Sequence, residues 1–116
     1  MDSLKITDEQ SAAVAVAPRV SLIDIERSIA AEYFLFGDQA VVACGMPDHP
    51  ALKTLTICIL VMTNGFSVIG KASPASPENF NKDLGRKFAR EDAIRQLWPL
   101  MGFALRDRLS QKTSAV

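Results

Sequence analysis

The residues that could do chemistry are few in this chain, and their spacing brings almost none of them together. His49 is the only histidine. Asp48-His49 has the makings of a metal ligand or a general base. No second and third ligand stand at useful spacing, and a histidine in a proline-flanked loop is ordinarily just solvated. Cys44 and Cys58 form no CxxC pair. Either would act as a nucleophile only beside a positioned base, and one histidine leaves few options, so packing is their first reading. Glu26 and Glu32 stand six apart, too far round a helix to work as a carboxylate pair. No HExxH, Walker loop, GxSxG or GxGxxG occurs. The pattern points away from an enzyme, a metal site and a bound cofactor.

What remains is a set of cations on a long helical pattern: Lys82, Arg86, Lys87, Arg90 and Arg95. Glu78-Lys82, Asp83-Lys87 and Glu91-Arg95 are i,i+4 pairs with the acid first, the order that supports a solvent-facing helix. Arg86 and Arg90 have no acid four residues before them and stand one turn apart. They are the candidate contacts to a ligand or partner. Ser76 and Asn79 join them near the helix start, where free amides favour an anion. A helix cap alone explains Ser76, so the anion site is the lesser reading.

These residues hang on a hairpin and the helix that covers it. Thr54-Leu-Thr-Ile-Cys-Ile-Leu-Val-Met62 and Phe66-Ser-Val-Ile-Gly-Lys-Ala72 are separated by Thr63-Asn64-Gly65. Asn-Gly between apolar runs is a strong hairpin signal, and a type I′ turn there needs positive φ at both residues. That turn sets Thr63 against Phe66, Val61 against Val68 and Ile59 against Gly70. Ile57, Ile59, Val61, Phe66 and Val68 then share one face, and Cys58, Leu60, Met62, Ser67 and Ile69 the other. The first strand, apolar on both faces, reads as central; the second reads as nearer an edge, with Lys71 at its exit.

Ser76-Pro77-Glu78 reads as a helix start, with a cap, a proline at the first position and an acid at the positive end. The helix runs from about 77 to 109. Its stripe is Phe80, Leu84, Phe88, Ile94, Leu97, Trp98, Met101 and Leu105. Pro99 predicts a kink or break near Leu97 or Trp98. Gly85, Ala89 and Ala93 form a seam of small residues. Either another backbone comes close there, within the chain or across a homo-oligomer, or Gly85 is simply tolerated at a cost of roughly 1 kcal/mol.

Upstream, Ser21-Leu-Ile-Asp24 is a near capping box that opens a helix predicted over about 22–36. Leu22, Ile25, Ile29, Tyr33 and Phe36 recur on one side, and Gly37-Asp38 stops it. Residues 1–19 read as a flexible arm and 110–116 as a flexible tail, leaving a single α+β domain over 20–109. Gln39 to Lys53 carries Gly45-Met-Pro-Asp-His-Pro50 and reads as a displayed loop.

The 116 residues suit one small domain, and thirteen basic and thirteen acidic residues cancel. The zero balance and 7% aromatic content argue against nucleic acid as a partner. No signal peptide or spanning segment is recognisable, so a cytosolic setting with both thiols reduced is expected, and no membrane partner.

Several blocks together are more specific than any one of them. They are Leu22-Ile-Asp-Ile-Glu26 with Glu32-Tyr33, Leu55-Thr-Ile-Cys-Ile-Leu-Val61, Asn64-Gly65-Phe66 and Ala75-Ser-Pro-Glu-Asn-Phe80. After them come Gly85-Arg86 with Ala89 and Ala93, and Leu97-Trp98-Pro-Leu100 with Gly102-Phe103. With these the segment from Arg19 to Leu109 resembles a family of small tailed-bacteriophage proteins. That family is catalogued after gene product forty-nine of a coliphage and gene product sixty-six of a Shigella phage. The resemblance carries over no catalytic residue. It implies a phage or prophage accessory protein acting in the host bacterial cytoplasm, expected to work by binding a host protein of defence or replication. The alternative is a module that sequesters a small anionic ligand such as a nucleotide.

Overall fold

The computed structural model describes residues 3–114. Elements follow in the order α1 (Ser3–Val14), α2 (Leu22–Arg27), β1 (Ile29–Phe36), α3 (Gly37–Ala43), β2 (Thr56–Met62), β3 (Ser67–Ala72) and α4 (Lys82–Ser114). Short 3-10 turns at Pro50–Thr54 and Pro77–Asn79 precede β2 and α4. The fold is α+β: a three-stranded antiparallel sheet in the order β1-β2-β3, with α4 laid across one face.

The hairpin is where expected, with β2 central and β3 at an edge. Its turn differs from a type I′ turn. Gly65 has φ +88°, while Asn64 is not left-handed. The Gly65 amide donates to Met62 O at 2.9 Å, and the Met62 amide to Phe66 O at 2.7 Å. This is a three-residue connection closed by a left-handed glycine. It moves the register by one residue: Leu60 faces Val68, Ile59 faces Ile69 and Cys58 faces Gly70. A one-residue slip exchanges the faces of a strand. Val68 therefore joins Cys58, Leu60 and Met62 in the core, and Ile69 is 59% exposed on the opposite face.

The helix predicted over 22–36 is corrected to a short helix and a strand. Ser21 caps α2 by a full capping box, but the helix ends at Arg27. β1 then pairs with β2, with one extra residue between Ile29 and Ala31. Ala-Ala-Glu-Tyr-Phe-Leu-Phe fits both periods. The partner decided: β2 has two ladder edges, β3 fills one, and the Ser28 carbonyl already accepts from the Thr63 amide at 2.8 Å.

The start of the long helix is also corrected. Ser76 makes no side-chain cap bond and precedes only the 3-10 turn. The α-helix begins at Lys82, where the Asn81 side chain accepts from the Leu84 amide at 3.0 Å. The helix continues through Pro99 unbroken to Ser114, so the predicted break does not occur and residues 110–114 remain helical. The segment read as an arm contains α1, whose Leu4 is 4% exposed. The ends of the arm and tail readings, residues 1–2 and 115–116, lie outside the described residues.

The seam of small residues is a close contact within the chain. Ala89 and Ala93 are fully buried over Gly70. A Cβ on Gly70 would run into the Ala89 carbonyl and lie 2.5 Å from the Ala93 amide nitrogen. One on Gly85 would run into Thr56 Oγ1, which is itself buried without a hydrogen-bond partner. Ile94 and Leu97 from α4, Ile25 from α2 and Leu4 from α1 complete the core. Trp98 Nε1 donates to Val20 O at 3.0 Å and ties α4 to the chain ahead of α2.

Candidate functional site

The four residues singled out from the sequence do not converge. Ser76 is exposed, and its carbonyl accepts from the Asn79 amide at 3.0 Å. Asn79 borders a small cavity with Lys71, Asn81 and Phe88, and Arg86 does not line it.

Nor are the two arginines unpaired, as their helical spacing implied. Arg90 Nε lies 2.8 Å from Glu32 on β1, and Nη2 lies 3.9 Å from Glu26 on α2. Partners came from strand and helix remote in sequence, which an i,i+4 search cannot find. Arg86 pairs with Asp83 at 3.1 Å and sets its guanidinium 5.2 Å from the centre of the Phe36 ring; Lys82 lies 5.1 Å from the same ring. Of the predicted helical pairs, Glu91-Arg95 forms at 3.6 Å. Arg90 therefore fastens α4 to the first strand, and its charge is already matched.

A different region has the dimensions of a binding site. Beyond Leu97, α4 runs past the hairpin and leaves a groove of about 690 Å³ between itself, the hairpin end and α2. Met62, Leu97, Leu100, Met101 and Leu105 line its apolar side, with Phe66 at the hairpin end. The α4 residues recur at three and four, so they stand on one face of the helix. Arg19, Arg27 and Arg108 border the same groove. Arg19 is engaged at 2.8 Å with Asp8, whose carboxyl is held below its ordinary value by that bond and by the Leu22 amide. Asp24 also lines the groove. Its carboxyl is held low by the Ser21 amide and hydroxyl, so it serves the α2 cap. Among the described residues, no ion pair engages Arg27 or Arg108. Sequence reasoning missed both. The usable signal was Arg108 three residues after Leu105, extending the apolar stripe with a cation.

The thiols bear out a packing role only for one. Cys58 is fully buried, and burial, with Glu32 nearby, pushes its pKa up to about 11. Cys44 is exposed. His49 Nδ1 accepts from the Ala51 amide at 3.1 Å and so caps a turn. Among the described residues no group of three metal-ligating side chains gathers, and no helix is long and apolar enough to cross a membrane.

With the hairpin, the glycine-alanine seam and the long helix in place, one comparison decides the affiliation. The model of the phage protein family named for N4 Gp49 and phage Sf6 gene 66 matches residues 20–109. The chain belongs to this family of phage proteins. The match begins just before α2 and ends within the overhanging part of α4, so it takes in the sheet and most of the groove. No curated protein and no solved structure matches the chain.

Proposed function

We propose that this member of the Gp49/gene 66 family is a non-enzymatic accessory protein that acts in the host cytoplasm by binding a host protein. The binding element is the groove beneath the overhanging half of α4. Its occupant is an amphipathic helix with acidic residues along its flank. The observation that carries the reading is the pairing of an apolar floor with Arg27 and Arg108, in a chain whose total charge is zero. An amphipathic helix laid in such a groove buries its apolar face and sets acids against the rim.

A second reading, sequestration of a small apolar anion, uses the same groove. Its volume of about 690 Å³ lies within the range of small-molecule sites.

The test uses the full chain as bait in infected and uninfected cells, beside an Arg27→Glu, Arg108→Glu variant. Both are checked for equal melting temperature and analysed by native mass spectrometry. Expected is a stoichiometric protein complex with wild type that the variant loses. A retained small mass, and a melting temperature that rises when it is added back, would favour the second reading. Steep loss of binding with salt, traced to nucleic acid, would reject both. So would a variant that holds the same complex as wild type.

A further inference from the structure

The sheet has two edges, and they are finished differently. On β3, the hydrogen-bonded pair Met62/Phe66 fixes which groups point outward: Ile69 and Lys71 turn their amides and carbonyls away from β2. Side chains of α4 occupy that edge. Asp92 accepts from the Lys71 amide at 2.9 Å, and Gln96 donates to the Ile69 carbonyl at 2.8 Å. A further strand cannot pair there without displacing them.

On β1 the Gly37 amide donates to Leu55 O at 2.9 Å, which makes Gly37/Leu55 a hydrogen-bonded pair. Stepping by two, Leu35 and Tyr33 face β2, so Glu32 and Phe34 turn their backbone groups outward. Among the described residues no hydrogen bond engages those amides or carbonyls. An exposed edge of this kind is a template for strand addition.

We infer that β1 is a self-association edge, at which a second copy of this chain adds its own β1 antiparallel about a two-fold axis at Tyr33. The inference does not rest on the groove and concerns another face. The second copy is the occupant that fits for two reasons. Each molecule has one open edge and one occupied by α4, so pairing stops at two copies instead of growing into a fibre. The strand is also self-complementary in this register. Glu32 stands opposite Phe34 of the second copy, no two glutamates meet, and each Glu32 charge is already matched by Arg90 at 2.8 Å. Leu35 meets Ala31, and the two Tyr33 side chains, each 55% exposed, meet on the face away from α4. The two half-open apolar faces become one surface across six strands. The contact is smaller than a standard protein interface, so the dimer is concentration-dependent.

Sedimentation of the full chain over a wide concentration range is the first measurement, with a monomer–dimer equilibrium expected. Tyr33→Lys sets like charges opposite each other on an exposed face and should abolish the dimer at unchanged melting temperature. The register is tested by crosslinking in a Cys44→Ser background. Tyr33→Cys should give a covalent dimer under mild oxidant, because residues opposed in a non-hydrogen-bonded pair come closest. Ile69→Cys, on the same face but on β3, should stay monomeric. The inference is overturned if the wild type sediments as a monomer at every concentration, if Tyr33→Lys dimerises as well as wild type, or if Ile69→Cys crosslinks as readily as Tyr33→Cys.

Discussion

The two halves of α4 are one unbroken helix with opposite surfaces. From Lys82 to Leu97 its inward side sets Gly85, Ala89 and Ala93 against the sheet, with Ile94 and Leu97 buried beside them, and the sheet lies so close that Gly70 has no room for a Cβ. Past Trp98 the same helix carries large apolar groups that are partly or largely exposed: Leu100 is 46% and Phe103 77% exposed. Small residues let a helix backbone settle on a strand, where many weak contacts add up. Large ones left half in water contribute little to folding and more to what can be bound. The first half holds the sheet in place, and the second leaves apolar surface uncovered.

Gly70→Val attacks that contrast at its tightest point. The added side chain meets the Ala89 carbonyl and the Ala93 amide, neither of which can move without breaking the helix. The expected loss is roughly 3 kcal/mol or more, and the chain should fail to fold by circular dichroism. Native-like melting of this variant would show that α4 is not seated as described.

Gly85→Ala comes next. Helix propensity alone favours alanine by about 1 kcal/mol. The Thr56 side chain opposes it, and a net loss of about 1–2 kcal/mol is expected from overpacking. Thr56→Ala in the same chain should recover most of that loss, since it clears the space. A net gain in Gly85→Ala by itself would end the close-packing account.

Arg90→Ala tests a side contact of the same half. Its bond to Glu32 at 2.8 Å is partly exposed, so a loss of about 1 kcal/mol or less is expected in chemical denaturation. A larger loss would mean that the cluster with Glu26 acts as one network.

The thiols compare the core with the surface. Cys44 should react with an alkylating reagent at neutral pH, and Cys58 only on unfolding. The Cys58 pKa is raised from 9.0 to about 11 by folding. The unfolded chain therefore loses this proton first, and this group's contribution falls as pH rises from about 9 towards 11. Equal labelling rates would place Cys58 outside the core.

Phe103→Ser should do least. On the overhanging half, the expected change in stability is within about 0.5 kcal/mol by thermal unfolding. A clear loss would mean that the second half is part of the fold after all.

The sequence by itself determined the local features. Asn64-Gly65 placed the hairpin, Ser21 with Asp24 capped a helix, and Gly85, Ala89 and Ala93 marked a seam of small residues without deciding whether another backbone comes close there. Each depends on residues within a few positions of one another, where sterics and hydrogen bonds act without the rest of the chain. The block pattern likewise carried the family, which the match over residues 20–109 bears out. Only the tertiary structure decided the rest. Residues 29–36 became a strand because β2 had an empty edge. The hairpin register moved by one because the turn closes on Gly65 only, and that changed which side of β3 is core. Arg90 stopped being a free cation because folding set it beside Glu32, 58 residues away in sequence. The groove that replaced it as candidate site is assembled from α4, the hairpin and the residues around α2. Such partners are chosen by packing across the chain, and no short spacing in the sequence records the choice.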